Sequence, residues 1–284
     1  MYDSRRWAVR YEVIPLEGVA GLVKDHVPRE IPVTITASPS RGLGPTLQLT
    51  EDLAEMGYSV VPHLSARLVH DERELGTILE RLNRASIYDA LVVAGDVPEP
   101  AGPFAGAVDL LRAMRRLGHG LREIGITGYP EGHPLIDHTS VEHAMSVKAE
   151  YATYITSQIS FNASATREWI ERIWAQGIRL PIHIGVPGPV QLTKLLRISA
   201  RIGLADSVGF LRKYRSRVLQ FTRPGRYSAN DFLRGLISAF DDPGGKVAGI
   251  HVFTFNEIEA TERWRRRELS ALAGIRRVDG LEGA

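Results

Sequence analysis

Residues 71–95 read DERELGTILERLNRASIYDALVVAG and contain the two patterns that decide the fold. In the first part, apolar residues recur at helical spacing behind an acidic first turn, which predicts an amphipathic helix over 71–85. The second part, DALVVAG at 89–95, is a short apolar run of the kind that forms a strand covered on both faces. Alternation of these two elements is typical of α/β proteins. The apolar residues of the helix are Leu75, Ile78, Leu79 and Leu82.

The same alternation extends along the chain in both directions. Eight parallel strands, each followed by a helix, close into a (β/α)8 barrel, and we predict one such barrel domain over residues 1–284. A doubly wound open sheet is the alternative. Extra amphipathic segments over 204–246 predict a helical insertion before the last strand. The predicted strands are 7–14, 31–37, 59–65, 89–95, 123–128, 154–161, 181–186 and 248–255, and the further predicted helices are 45–56, 104–117, 138–152, 164–176, 189–202 and 257–273.

The composition narrows the class of protein. With 44% hydrophobic and 24% charged residues, the chain is typical of soluble globular proteins, and its lack of cysteine excludes disulfides, thiolate metal sites and cysteine nucleophiles. Neither a signal peptide nor an apolar run long enough to span a bilayer is present, and the net charge is only +2. We therefore expect a cytoplasmic monomer or small homo-oligomer, with no membrane or nucleic-acid partner.

Polar residues stand where the predicted strands end. In barrel enzymes the active site is built from the carboxyl ends of the strands and the loops that follow them, so these residues are the candidates for chemistry. Polar side chains are not needed at these positions to pack a hydrophobic core. The candidates are Glu12, Ser38, His63, Asp96, Tyr129, His133, Gln158 and Asn256.

Two of these candidates are acidic, and each has a structural alternative. Glu12 lies among apolar residues of the first strand, where it requires either an ion-pair partner or a function. Asp96 precedes a valine and a proline and could equally cap a loop. His63 and His133 lack the spacing of metal ligands, so no metal site is predicted. Glycine-rich nucleotide-binding motifs and the hydrolase nucleophile elbow are also missing from the sequence. The residues alone thus indicate a barrel enzyme with two acidic groups.

Taken in order, the strand-end motifs resemble those of the methylenetetrahydrofolate reductase family. The resemblance extends over nearly the whole chain, and its PHL, GDxP and YPExHP motifs are together specific. YEVIP (11–15) resembles the family's FEFFPP, VPHLS (61–65) its APHLT, AGDVP (94–98) its RGDLP or RGDPP, GYPEGHP (128–134) its AYPEGHP, SQISFN (157–162) its TQFFFD, and HVFTFN (251–256) its HFYTLN.

The resemblance implies a reaction and roles for three residues. In this family 5,10-methylenetetrahydrofolate opens to an N5 iminium ion, which accepts hydride to become a methyl group. By resemblance Glu12 assists protonation of N10, and Asp96 binds folate and stabilises the cation. Gln158 would hydrogen-bond the pterin and meet the nicotinamide. The other strand-end candidates are expected to bind substrate.

Departures from the family pattern affect the expected cofactor. The usual member carries FAD and grips its phosphates with basic residues. Here Ala94 replaces the arginine of the RGD motif, and the predicted fifth helix, HTSVEHAMSVKAEYA, contains a lone Lys148. We therefore expect a flavin-independent branch in which NADH, rather than NADPH, reduces folate directly. A FAD enzyme that recruits Arg41 or Arg67, and a non-catalytic folate-binding relative, are the alternatives.

Overall fold

The computed structural model describes residues 8–133, 136–160, 162–190, 230–240, 242 and 244–269. Eight parallel strands pair in sequence order, and β8 pairs with β1 to close a barrel. The predicted (β/α)8 barrel is confirmed, and the open-sheet alternative is excluded. The strands are β1 Ala8–Val13, β2 Val33–Ile35, β3 Val60–Ser65, β4 Asp89–Val93, β5 Glu123–Gly128, β6 Tyr154–Ser157, β7 Ile182–Pro187 and β8 Val247–Phe253.

Helices follow the strands, and most begin or end within three residues of the predicted bounds. The helix after β1 was not predicted, because it is short, starts after a left-handed Gly18 and has no acidic first turn. The helices are α1 Val19–His26, α2 Gly44–Glu55, α3 Glu72–Arg84, α4 Ala107–Leu117, α5 His138–Ala149, α6 Ala163–Ala175, α7 Asn230–Arg234, α8 Ile237–Phe240 and α9 Ile258–Trp264; a 3-10 turn spans Ala66–Leu68, and a π-helical turn spans Arg265–Leu269.

Three predicted segments lie partly outside the described residues. Of the helix at 189–202 only the first two residues are described. Of the insertion at 204–246, residues 230–240, 242 and 244–246 are described, and they contain α7 and α8. The helix predicted at 257–273 is described as far as residue 269. No helix in the described ranges has the length and apolar character needed to cross a bilayer.

Four predicted strands extend two or more residues past the observed strand ends. The second and fourth were expected to reach residues 37 and 95, but β2 ends at Ile35 and β4 at Val93. The sixth was expected to reach residue 161, but β6 ends at Ser157, whose hydroxyl donates to the Gln158 carbonyl and accepts from the Gly185 amide. The eighth was expected to reach residue 255, but β8 ends at Phe253, because Phe255 and Asn256 take positive φ angles of 50° and 59°. Side-chain hydrogen bonds end β6, and left-handed backbone ends β8. Neither feature is visible as hydrophobic periodicity in the sequence.

The contacts of α3 explain why the sequence pattern at 71–85 correctly predicts a helix. Asp71 caps its first turn by accepting a hydrogen bond from the Glu74 amide at 2.7 Å. Basic residues in its last turn complement the helix dipole. One of them, Arg81, makes a bidentate ion pair with Glu51 of α2, with both N–O distances at 2.8 Å. The four predicted apolar residues are all buried, as the periodicity requires.

Alternate residues of β1 face opposite sides of the barrel wall. Tyr11 points outward, where its hydroxyl donates to Glu262 of α9 at 2.7 Å. Arg10 and Glu12 point inward, because both contact residues of strands across the barrel. On the outer side, Glu262 also accepts hydrogen bonds from Arg265 and Arg266, so this carboxylate ties the last described helix to the first strand.

A polar layer occupies the barrel interior below Glu12. The Arg10 Nη1 atom lies 3.4 Å from Asp89 Oδ2, and the Tyr154 hydroxyl donates to the other oxygen of Asp89 at 2.7 Å. The guanidinium stacks over the Tyr154 ring at 4.5 Å, and the ring of His183 meets Tyr154 edge-on at 5.4 Å. Gly125 leaves room for this arrangement, since a Cβ atom there would lie 2.4 Å from the Tyr154 ring. The layer fills the amino-terminal part of the interior, so the carboxyl end is left for a site.

Candidate active site

The first candidate, Glu12, lies between two histidines inside the carboxyl half of the barrel. Its Oε2 atom is 3.0 Å from Nε2 of His251 on β8 and 3.7 Å from Nε2 of His63 on β3. The side chain of Glu12 is 11% exposed and that of His251 only 1% exposed, so little water reaches the cluster. The carboxyl group therefore has protein partners where the sequence alone left its partner open.

Burial sets the protonation of this cluster. It raises the pKa of the Glu12 carboxyl from 4.5 to about 7, although the charge of His63 opposes the increase. Burial also lowers the pKa of His63 to about 4 and that of His251 to about 3. For His251 the positive charge of Arg10 lowers the pKa further. At neutral pH both imidazoles are consequently uncharged, and Glu12 is poised to hold or release a proton.

A second group gathers Asp96, Tyr129 and His133 at the barrel mouth. The rings of Tyr129 and His133 meet edge-on with centroids 5.0 Å apart. The Asp96 side chain is accessible to solvent, yet partial desolvation by the surrounding protein raises the pKa of its carboxyl, with the charges of His133 and Arg67 acting in the opposite direction. Burial raises the pKa of Tyr129, and the charge of Asp96 adds to this effect. The structure thus brings these three predicted residues together.

Arg67 holds the loop that carries Asp96. Its Nε atom donates to the Ala105 carbonyl at 2.9 Å, and its Nη1 atom donates to the carbonyls of Val97 and Pro98 at 3.0 and 3.3 Å. A guanidinium that bridges three backbone carbonyls fixes the loop's course. The contacts of Arg67 therefore stabilise the conformation of the loop around Asp96.

Gln158 lies just past β6 and is exposed at the same end of the barrel. Its side-chain oxygen accepts a hydrogen bond from the Ile159 amide at 2.9 Å. The neighbouring loop is tied down by Glu131 of the YPEGHP motif, which accepts from the Ser160 hydroxyl at 2.7 Å and from the Asn162 amide at 2.8 Å. Glu131 thereby joins the loops after β5 and β6 and fixes the surroundings of Gln158.

Asn256 and Thr254 fix the end of β1. The side-chain oxygen of Asn256 accepts from the Ile14 amide, and its nitrogen donates to the Ile14 carbonyl, both at 2.9 Å. The Thr254 hydroxyl donates to the Glu12 carbonyl at 2.6 Å. These bonds hold the backbone that positions Glu12. The role of Asn256 in substrate binding stays a prediction.

Ser38 follows β2 and is buried, with its hydroxyl 3.4 Å from that of Ser40. Its backbone forms an isolated bridge with Gly42, which shapes the loop between β2 and α2. A contact of Ser38 with substrate also stays a prediction. Among the described residues, no cluster of His, Asp and Glu side chains is arranged to hold a metal ion.

Lys148 is the basic residue that the sequence singled out on α5. It is buried, and its Nζ atom donates to the Thr127 carbonyl at 3.3 Å and lies 3.5 Å from the Thr127 hydroxyl. Burial lowers the pKa of Lys148 to about 8. The lysine supports β5 from within the protein and is largely withdrawn from solvent.

Sequence reasoning missed His251 and Arg10. Both could have been recognised in the same way as Glu12, because each is a polar residue inside an otherwise apolar strand. Arg10 is two residues before Glu12 and therefore shares its face, and His251 is the register partner of Arg10 on β8. Because residues two apart in a strand share a face, an inward-facing Glu12 implies an inward-facing Arg10.

The carboxyl half of the barrel thus contains a protonatable carboxyl group flanked by neutral histidines, and a second carboxyl group lies on a braced loop at the mouth. This arrangement defines a (β/α)8 barrel of the enzyme type, with a site suited to proton transfer next to a developing charge.

Comparison with known proteins identifies the family. The sequence profile described as Methylenetetrahydrofolate reductase matches residues 19–263, and the chain belongs to this family. Methylenetetrahydrofolate reductase 1 of Schizosaccharomyces pombe is 29% identical over 121 residues, which cover 40% of this chain. The aligned part spans about a fifth of that relative's length, 20%. The profile match includes His63, Asp96 and His251 but begins after Glu12, so it does not bear on Glu12, whose role stays a prediction.

Proposed function

We propose that this protein reduces 5,10-methylenetetrahydrofolate to 5-methyltetrahydrofolate with NADH, by direct hydride transfer and without FAD. The observation that carries the proposal is the Glu12 carboxyl group, buried between His63 and His251 with a pKa of about 7. A reductase of this kind needs an acid that is still protonated near neutral pH and can donate to a weakly basic nitrogen. Family membership supplies the substrate class.

The reaction balances with one proton and one hydride. The bond between N10 and the bridging carbon breaks as N10 takes a proton, which leaves an iminium ion at N5. Hydride from C4 of the dihydronicotinamide then forms the new C–H bond of the methyl group, and oxidised NAD⁺ leaves. The enzyme regains its proton from solvent, so the overall step consumes one NADH and one proton.

The residues of the site divide this work. Glu12 donates the proton to N10, and the carboxylate that remains favours the cationic iminium. Asp96, on the loop that Arg67 braces, adds negative charge near the folate. Gln158, exposed past β6, is placed for the amide-type hydrogen bonds that a pterin offers. Tyr129 and His133 contribute flat surfaces for ring stacking.

Two of the cations that could bind the diphosphate of FAD are already engaged, whereas Arg41, on the loop after β2, is exposed. Ala94 stands where the family motif has arginine, Arg67 spends its guanidinium on backbone carbonyls, and Lys148 is buried against Thr127. Phosphates are held by free cationic donors or by helix N-termini, and these two cations already have other partners. We therefore propose that nicotinamide and pterin meet directly in the mouth, where close contact suffices for hydride transfer.

The experiment that tests the function is an anaerobic assay of the purified protein with NADH and methylenetetrahydrofolate, with the visible spectrum recorded and FAD added to a parallel sample. We expect a colourless protein that forms 5-methyltetrahydrofolate at the same rate in both samples. Activity only with FAD would reject the flavin-free mechanism. No activity in either sample would favour a folate-binding protein without catalysis.

Replacement of Asp96 tests the proposed attraction for the folate cation. We expect Asp96→Asn to lower kcat/KM for methylenetetrahydrofolate about tenfold, equivalent to about 1.4 kcal/mol, because an exposed carboxylate acts through partly screened charge. Steady-state kinetics measure the change, and Glu99→Gln, an exposed carboxylate on the same loop, is the matched control. Equal kinetics for the two variants would show that Asp96 does not attract the folate cation and has only a structural role.

A further inference from the structure

His251 lies in the barrel interior between the proposed acid and a buried cation. Its Nε2 atom contacts Glu12 Oε2 at 3.0 Å, while its own strand pairs it with Arg10, the residue below Glu12 on β1. The imidazole is fully buried, and the Phe253 ring meets it edge-on at 4.8 Å. Its other nitrogen, Nδ1, has no hydrogen-bond partner among the described residues. The contact with Glu12 is thus the polar bond that fixes this ring.

A carboxyl and an imidazole at this distance share a proton, and in water the imidazole holds it as part of an ion pair. Inside this barrel burial makes that outcome unfavourable, and Arg10 adds to the cost, because a protonated His251 would be a second buried positive charge near the guanidinium. Asp89 is the partner of Arg10, at 3.4 Å, and so keeps the cation in place. The proton is thereby left to the carboxyl group.

We propose that His251 is the positioning residue of Glu12: its neutral imidazole donates from Nε2 to Oε2 and leaves Oε1 as the oxygen that carries the transferable proton. The proposal rests on the proposed function for the identity of the proton's acceptor. It goes further by assigning the atom that donates the proton and the residue that fixes it.

The other charged and titratable groups around the pair agree with this assignment. His63 on β3 faces the same Oε2 atom but at 3.7 Å, beyond hydrogen-bond reach. His183 on β7 belongs to the layer below, where burial and the charge of Arg10 lower its pKa well below the ordinary value, so that it too stays uncharged. Tyr154 on β6 is committed to Asp89 on β4. Among the described groups, His251 is therefore the donor that reaches Glu12.

The unmodified protein gives the first test. Nitrogen-15 NMR of labelled histidine is expected to show His251 neutral, with its proton on Nε2, on both sides of pH 7. A His251 that is charged at pH 7, or that carries its proton on Nδ1 while Glu12 is ionised, would overturn the proposal. This measurement needs neither turnover nor a variant.

Substitution gives the second test. A donor hydrogen bond stabilises a carboxylate more than a carboxylic acid, so His251→Leu should raise the titration midpoint of Glu12 by roughly one pH unit. It should lower kcat about tenfold to a hundredfold through loss of position. His251→Gln, which can keep an N–H in the same place, should restore part of both. His183→Leu is the matched control, because this buried histidine of the neighbouring strand packs against Tyr154 in the layer below.

Two readouts separate the proposal from the function on which it rests. The carboxyl titration of carbon-13-labelled Glu12 in the free protein reports the contact with His251, and the pH profile of kcat/KM reports whether Glu12 is the acid. A titration shift in His251→Leu that His183→Leu does not share supports the proposal, whatever the activity. Identical titrations in all the variants would overturn it. A shift in titration with no shift in the pH profile would instead reject Glu12 as the acid. Circular dichroism checks that each variant is folded.

Discussion

We expect Glu12→Gln to reduce kcat by about a hundredfold to ten-thousandfold, the range that loss of a general acid usually costs. Glutamine keeps the shape of the side chain and its contacts with His251 and His63, but its amide N–H protons are far too weakly acidic to be transferred to N10. Folate binding should change much less than kcat, because the amide still fills the same space. The substitution therefore separates proton donation from substrate binding.

The same substitution should stabilise the folded protein at neutral and higher pH. The pKa of Glu12 rises from an ordinary 4.5 to about 7 on folding, so between these values the folded state holds a proton that the unfolded chain has released. Stability falls with rising pH wherever the folded state binds more protons, and the gap corresponds to about 3 kcal/mol above pH 7. Glutamine does not ionise and escapes this cost.

Denaturant unfolding at a series of pH values, beside steady-state kinetics, measures both effects. His63 and His251, whose pKa values fall on burial, make the folded state less stable at low pH, and this contribution is largely common to both proteins. The difference between Glu12→Gln and the parent protein should therefore grow as pH rises from 4.5 to 7. Glu17→Gln, an exposed carboxylate after β1, is the matched control. Full activity in Glu12→Gln would remove Glu12 from the mechanism.

The barrel could be predicted because its signal is local. In each βα unit the strand is a short apolar run and the helix has its own periodicity, and closure follows from repetition of the unit. The helix α1 was not predicted, because eight residues with a glycine among them give too few repeats of the helical pattern. The ends of β6 and β8 escaped because a hydroxyl of Ser157 and the left-handed backbone at Asn256 decide them.

The candidate site was only partly predictable, because strand ends are visible in sequence whereas contacts across the barrel are not. Glu12 and Asp96 stood out as polar residues at strand ends, and both lie in the carboxyl half of the barrel or at its mouth. His251 is in the middle of β8, and only the closure of β8 on β1 brings it to Glu12. Asn256 stood out for the same reason as Glu12, yet its amide is engaged with the backbone of Ile14. Position at a strand end identifies a candidate, and its partners then decide its role.

The route of the hydride gives the second large effect. With NADH deuterated at both C4 positions, we expect essentially one deuterium in each methyl group of the product, and none lost to water. Direct transfer moves the label from one carbon to another, and C–H bonds do not exchange with solvent. A reduced flavin would hold the label on nitrogen, where it exchanges with water before the second transfer.

Mass spectrometry of 5-methyltetrahydrofolate measures the label, and unlabelled NADH in deuterated water is the reciprocal control. Under direct transfer the control product carries no deuterium in its methyl group, although the proton from Glu12 to N10 is replaced by a deuteron that later exchanges. Deuterium from water in the methyl group would show an exchangeable carrier between the two substrates. That outcome would require cations able to bind flavin phosphates: Arg41 is exposed on the loop after β2, whereas Arg67 and Lys148 would have to give up their bonds to the Val97 and Thr127 carbonyls. Retention of the label would instead fit a barrel mouth in which Arg67 braces the loop after β4 and Lys148 supports β5.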